Sequence, residues 1–275
     1  MDKFNSKVIL GAMALSTDGS LRTAFAADGA VRVPGLFDAA WLDVLRQVAD
    51  EILDGTTDPT DRLSGAAEAP ARSADGIWRD RPDFARVLRR SPLADVAAEA
   101  LGSSSIALYE DLFLYTEPAQ EGAPWHRDAP HWPLMGEQLA AVWFSLEPVP
   151  LDAGALHFVA GSHHDDREVV AGEAMTMGRD DDAGGRKILA FATEPGDAIV
   201  FHPRILHAAK GAAPDRPRRT FTIRFAGDDI RWRPRSSYFH PWMQEAGLER
   251  GDRLDHPWFP VLRQLVTARF ADGAV

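Results

Sequence analysis

The stretch Pro124-Trp125-His126-Arg127-Asp128 sets an imidazole and a carboxylate two positions apart. On a strand, residues two apart face the same way, so His126 and Asp128 would project into one interior. A further histidine from elsewhere in the chain would complete a 2-His-1-carboxylate face on non-haem iron, leaving open positions on the opposite side. Those positions can take a bidentate 2-oxo acid and dioxygen. A lone His-x-Asp carries little weight, because the tripeptide recurs by chance. Here a second stretch supports it. Pro195-Gly196-Asp197 reads as a tight turn feeding the strand Ala198–His202, and His207 follows roughly 80 positions beyond the first pair. That separation lets an opposite strand return to the metal. Arg218 stands eleven positions past His207. A guanidinium there can grip the distal carboxylate of a 2-oxo diacid in a two-pronged contact, which lysine makes less specifically. Thr220 shares a strand face with Arg218 and can add a hydroxyl.

Neighbouring residues offer alternatives. His202, five positions before His207, is either a rival ligand or a hydrogen-bonded core residue. Strand alternation turns only one of Arg218 and Arg219 inward, and the spacing favours Arg218. Arg127 points away from the metal and makes either a substrate contact or an ion pair. His131 lies in a loop beside the site, as a substrate contact or a surface residue. His163 and His164 follow a Gly-Ser turn and are expected to face solvent. Leu112 and Leu114 share a strand face and are expected in ordinary core packing. Asp228-Asp229 are expected to cap or anchor the tail.

The elements that must position these residues fall into two regions. Up to Gly102 the pattern is mainly helical. Residues 20–28 read as a short helix stopped by Asp28-Gly29, and 30–33 as a short strand. Asp38 is a good N-cap for AAWLDVLRQVADEIL, with Trp41, Leu45, Val48 and Ile52 on one face. Residues 54–76, rich in Gly, Pro, Asp and Thr, read as a loop, and 82–101 as two more helices. Beyond Gly102 come short apolar runs between turn signals. Ile106–Tyr115, Leu139–Leu146, Leu156–Val159, Ala198–His202 and Thr220–Phe225 are the strand candidates. Many short strands with Gly/Pro turns argue for a sandwich or barrel. Residues 163–187 read as an inserted polar loop, and 228–275 as an irregular tail packing back on the barrel.

Composition narrows the chemistry. The 275 residues are 45% hydrophobic and 26% charged, an ordinary globular balance. A formal net charge of -11 disfavours phosphate backbones and anionic membranes as partners. The chain has no cysteine, which excludes disulfides, thiolate metal sites and a thiol nucleophile, so any metal must be held by His, Asp or Glu. No run approaches the roughly 20 apolar residues of a membrane span. The apolar stretch Val8–Leu15 is broken by Gly11 and lacks a signal-peptide layout, so a cytoplasmic location is expected. The partner expected is a small-molecule substrate, with no nucleic acid and no membrane; the oligomeric state is not legible.

Taken together, DGAVRVPGLF (28–37), PWHRDAPHWPL (124–134), VWFSLEPV (142–149), GALHFVAGSHH (154–164), EPGDAIVFHPRILHAAKG (194–211), DRPRRTFTIRFAGDDIRW (215–232) and GLERGDRLDHPWFP (247–260) resemble the phytanoyl-CoA dioxygenase family of iron(II)/2-oxoglutarate oxygenases. The likeness runs along nearly the whole chain in the family's order. It implies a mostly β fold with flanking helices: a double-stranded β-helix (a cupin-like jelly roll) spanning 103–227. A mainly helical N-terminal cover would occupy 1–102 and a packing tail 228–275, in one domain. It implies His126, Asp128 and His207 as iron ligands and Arg218 as the anchor of 2-oxoglutarate. It places Trp143 in the cosubstrate pocket and Trp132 near iron and substrate. The chain departs from the family pattern at Thr116, where a lysine is common, at Ala209, where a serine is common, and in AAKGAAPD, which lacks a common asparagine. The implied reaction consumes dioxygen and 2-oxoglutarate, releases succinate and carbon dioxide, and hydroxylates an unactivated C–H bond of a small organic metabolite. Asp128 favours hydroxylation over halogenation, since relatives that halogenate replace this carboxylate with a small residue. No separate acid–base residue is required. The alternatives are a cupin-like iron enzyme without 2-oxoglutarate, for which Arg218 would have no use, and a non-catalytic binding protein on the same fold.

Overall fold

The computed structural model describes residues 19–55, 71–129, 132–165, 185–213, 215–234 and 246–264. The helical region comprises α1 (Ser20–Asp28), α2 (Ala39–Leu53), α3 (Ile77–Asp80), α4 (Pro82–Arg90) and α5 (Leu93–Leu101), with strands β1 (Ala30–Val33) and β2 (Ala71–Asp75) among them. Then follow β3 (Ser105–Thr116), β4 (Leu134–Met135), β5 (Leu139–Ser145), β6 (Leu156–Val159), β7 (Ile188–Ala190), β8 (Ala198–Phe201), β9 (His207–Ala209), β10 (Arg218–Ala226), β11 (Arg231–Trp232) and β12 (Val261–Gln264).

The helices begin and end where local chemistry dictates. The Asp38 carboxylate accepts the Trp41 N–H at 3.0 Å, satisfying one orphan donor of α2. Gly102 closes α5 in the left-handed region at φ 60, which costs a glycine little. The buried stripe of α2 is Leu42, Leu45, Val48, Ala49 and Ile52.

Two main antiparallel sheets follow, with β4 and β11 pairing apart from them as a two-stranded ribbon. The larger runs β1-β8-β5-β10-β3-β12, with β2 also paired to β3; the smaller runs β7-β6-β9. Period-two alternation sorts the strands of the larger sheet between two cores. Ala140, Val142 and Phe144 of β5, Val200 of β8, and Phe221, Ile223 and Phe225 of β10 join the helices in one core. There Phe221 lies 5.3 Å from Phe84 and 5.5 Å from Phe144, centroid to centroid. The intervening residues Ala141, Trp143, Ile199 and Phe201 meet Leu156, Phe158 and Leu189 of the smaller sheet in a second core. Sandwiched between helices and sheet, all seven residues of β5 are buried. No helix among the described residues is long and apolar enough to cross a membrane.

Three expectations need correction here. Part of the 54–76 loop is strand: β2 pairs with β3 from Ala71↔Thr116 to Asp75↔Leu112. His126 and Asp128 do not sit on a sheet strand; His126 makes an isolated bridge to His207. His163 is buried beneath α1, its Nδ1 close against Gly29, while His164 is exposed. Most of the 163–187 loop, Val8–Leu15, and residues 235–245 and 265–275 of the tail lie outside the described residues.

Candidate metal centre

The two segments bearing the His-x-Asp pair and His207 are tied together by backbone. The His126 N–H donates to the His207 carbonyl at 2.8 Å, and the His207 N–H returns a bond to the His126 carbonyl at 3.0 Å. The N–H groups of Asp128 and Ala129 both donate to the Pro203 carbonyl, at 2.9 and 3.1 Å. Arg127 adds a third tie. Its guanidinium donates to the Ser162 and Arg204 carbonyls and pairs with Asp165 at 3.1 Å. It is therefore an anchor of the loop, turned away from the cavity.

These ties bring His126, Asp128 and His207 into one cluster, each offering a ligand atom within 4.8 Å of the others. The Asp128 Oδ1 lies 3.5 Å from His126 Nε2 and 3.8 Å from His207 Nε2. Each ring is oriented from behind: His126 Nδ1 sits 2.7 Å from the Pro124 carbonyl, and His207 Nδ1 3.0 Å from that of Ile205. A carbonyl only accepts, so Nδ1 carries the proton and Nε2 presents a lone pair. Two neutral imidazoles and a carboxylate converging in this way fit a divalent transition-metal ion.

The electrostatics agree. Burial alone would raise the Asp128 pKa, but the Arg224 charge, the His126 hydrogen bond and His207 outweigh it and hold the carboxyl well below its ordinary range. Burial pushes His207 down to about 4, against the pull of Asp128, so its ring is neutral near pH 7. His126 is the exception: burial lowers it, yet the bonds to Asp128 and Pro124 prevail and raise it, so a metal ion at its Nε2 would bind in competition with a proton.

The cluster opens on a cavity of about 270 Å³. Arg218, Thr220, Thr222 and Arg224, alternate residues of β10, all line it. Arg219 faces the other way, paired with Glu147 at 2.8 Å and with Asp50. At the far end from the cluster, Arg218 Nη1 donates to the Gly154 carbonyl, while Arg218 Nε is buried with no hydrogen-bond partner. Gly154 has φ +84, and a Cβ there would lie 2.4 Å from Arg218 Nη1, so both its conformation and its neighbour require glycine. Thr116, the cross-strand partner of Arg218, is 4% exposed; its hydroxyl and the side-chain amide oxygen (Oε1) of Gln120 are also buried without partners, and both residues line the cavity. Thr220 already donates to the Leu114 carbonyl, at 3.4 Å. Trp143 and Leu114 line the cavity wall.

Other candidates lie elsewhere. Trp132 is buried behind Arg224, its ring centroid 5.2 Å from the guanidinium carbon, and is not in the cavity lining. His131 falls outside the described residues. His202 is buried, with Nε2 on the Glu137 carbonyl and Nδ1 accepting from the Arg204 N–H, and burial lowers its pKa to about 3. Asp228 and Asp229 cap the backbone of Ser104 and of Glu137–Gln138 rather than the tail. Arg224 escaped the sequence reading. Its signal was available: it stands six positions past Arg218, on the same face of β10.

A mostly β chain that gathers a His-x-Asp pair and a distant histidine at a cavity defines a candidate mononuclear metal enzyme. The family model for phytanoyl-CoA dioxygenase (PhyH) matches residues 25–220, and the chain belongs to that family. Among solved structures it is similar to the non-heme alpha ketoglutarate dependent epimerase SnoN of nogalamycin biosynthesis, at 24% identity over 89% of this chain and 97% of that one, TM-score 0.74. It is similar to the carbocyclase SnoK of the same biosynthesis, at 22% identity over 90% and 96% of the two chains, TM-score 0.72. It is also similar to EctD from S. alaskensis, solved with 2-oxoglutarate and 5-hydroxyectoine, at 20% identity over 89% and 86%, TM-score 0.67. These likenesses are of fold. A comparison with curated proteins gives no match.

Proposed function

We propose that this chain is an iron(II)- and 2-oxoglutarate-dependent oxygenase that hydroxylates a C–H bond of a small organic molecule. The observation that carries the reading is one cavity with the His126–Asp128–His207 cluster at one end and an incompletely partnered Arg218 at the other. Membership of the phytanoyl-CoA dioxygenase family and the fold shared with SnoN, SnoK and EctD support it. On this reading the two facing sheets form a double-stranded β-helix, covered by α1–α5, in a single domain.

His126 and His207 would hold iron through Nε2, with their tautomers set by Pro124 and Ile205. Asp128 would add one carboxylate oxygen. These three residues would hold the ion and still let it take the cosubstrate and dioxygen. Bound iron(II), with 2-oxoglutarate and dioxygen, supplies an oxidant strong enough for an unactivated C–H bond, and succinate and carbon dioxide are released. Arg218 would take the distal carboxylate, its guanidinium already oriented by Gly154. Trp143, Leu114, Leu156 and Phe201 wall the cavity and keep water from the reacting centre. Glu121 and Gly122 are exposed and line the same cavity, so they mark its open side, where substrate would enter.

Anaerobic addition of iron(II) and then 2-oxoglutarate should give a visible charge-transfer band that is absent in Asp128→Ala. A screen of candidate metabolites should then show substrate-dependent succinate release in air. Iron uptake without the band would favour an iron enzyme that uses no 2-oxo acid. Substrate-dependent release persisting in Asp128→Ala would refute the ligand set.

A further inference from the structure

Arg224 stands at the metal end of β10, facing the same interior as Arg218. Its side chain is only 14% exposed, and those of Glu110 and Asp128 beside it only 9% and 12%. An arginine taken out of water needs partners for its charge. It has two carboxylates and a ring: Nη2 donates to Asp128 Oδ2 at 3.2 Å, Nη1 donates to Glu110, and the guanidinium lies over Trp132.

The local fold makes this arrangement. Glu110 is the direct cross-strand partner of Arg224, immediately before a bulge where Phe225 pairs with Leu108 and Tyr109 is left over. Tyr109 packs on Trp132 at 5.0 Å, so the bulge also buttresses the ring beneath the guanidinium. The result divides the Asp128 carboxylate. Oδ2 is held by Arg224, and Oδ1 faces both imidazole Nε2 atoms.

We propose that Arg224 is a positioning residue for the metal: it confines Asp128 to ligation through one oxygen, while Glu110 shares the guanidinium so that the carboxylate keeps its strength as a donor. This rests on the metal assignment made above. Its functional consequence is the number of open positions. If both Asp128 oxygens bound the ion, one of the three positions needed by cosubstrate and dioxygen would be lost. A lysine could not substitute, because a point charge does not span two carboxylates in fixed directions as the guanidinium fork does.

Charge and position can be separated experimentally. Glu110, Asp128 and Arg224 together leave one net negative charge beside the ion. Arg224→Lys preserves that charge. So does the double variant Glu110→Gln/Arg224→Gln, which removes the Glu110–Arg224 pair as a unit rather than leaving Glu110 without its partner. The measurement is anaerobic titration of the full chain with manganese(II), followed by the free-ion EPR signal, with no cosubstrate and no turnover. Near-UV circular dichroism checks the fold in parallel. Both variants should bind manganese(II) about 10–100-fold more weakly than wild type, the usual cost of losing a group that orients a metal ligand. A double variant that binds within twofold of wild type would overturn the proposal, because charge alone would then account for the pair. A wild-type protein that takes up no manganese(II) would instead sink the metal assignment, and this proposal with it.

Discussion

The two ends of the cavity are finished to different degrees. At the metal end both histidine Nδ1 atoms rest on carbonyls and both Nη atoms of Arg224 reach carboxylates, Asp128 among them, although Arg224 Nε is buried without a hydrogen bond. At the other end Arg218 Nε, the Thr116 hydroxyl and the side-chain amide oxygen of Gln120 are all buried with no hydrogen-bond partner. Each such group costs about 1–3 kcal/mol to leave unsatisfied. A protein tolerates that cost where a ligand arrives to remove it. The difference matches the chemistry proposed: one end is rigid for an ion that stays, and the other awaits a molecule consumed at every turnover.

Substitutions at each end test that contrast. The largest effect belongs to Asp128→Ala, which should abolish metal uptake in an anaerobic titration and reduce succinate formation to background. Arg218→Met comes next and should spare the metal. Losing two charge-assisted hydrogen bonds, about 3 kcal/mol in all, raises the KM for 2-oxoglutarate by about 100-fold. A parallel loss of manganese(II) affinity would break the division into two ends.

A finer test lies between two threonines. Thr116→Val should raise the KM for 2-oxoglutarate about fivefold, the worth of one hydrogen bond of about 1 kcal/mol. Thr220→Val should change KM less than twofold, since its hydroxyl is already spent on Leu114 and a bond of about 1 kcal/mol lost there registers as stability. Equal shifts in steady-state KM would place both hydroxyls on the cosubstrate.

A last test reads stability rather than turnover and concerns the scaffold both ends share. Burial pushes Asp111 up to about 7, against the Ile77 and Trp78 backbone N–H groups, and pushes His202 down to about 3. Between pH 5 and 7 the native Asp111 holds a proton that the unfolded chain has released, so its contribution falls as pH rises. The unfolded chain holds a proton at His202 that the native ring refuses, so that contribution grows as pH rises. His207, also pushed down by burial, adds a second rising trend, so in wild type the fall at Asp111 offsets only part of the histidine rise. Asp111→Asn removes the opposing fall, and from pH 5 to 7 stability in urea unfolding should then climb by about 2 kcal/mol more than in wild type. A profile parallel to wild type in that variant would refute the assignment.

Much of this molecule is legible from residue order because apolar alternation is strong where strands are long. β3, β5 and β10 announce themselves, and the inward turn of Arg218 and outward turn of Arg219 follow from the period of two. β7 and β9, three residues each, are too short to carry a pattern. β2, ARSAD, has no apolar alternation; its partner β3 makes it a strand. The His-x-Asp segment was legible as chemistry but not as geometry. Its two side chains converge because His126 pairs with His207 and Asp128 hangs from Pro203, contacts set by tertiary structure. His163 looked like a turn residue at the surface, yet a glycine opposite leaves room for its ring. Trp132, expected near iron and substrate, and Arg127, for which a substrate contact and an ion pair both stood open, brace the groups that could hold a ligand.

The paired amide bonds between residues 126 and 207 carry one more implication. Any ion bridging those two rings would fasten a rung that main-chain atoms have fastened already. The ion is thus a replaceable part: stripped by a chelator or spoiled by oxidation, it should leave behind a seat still shaped to receive its successor, with no need to refold in between.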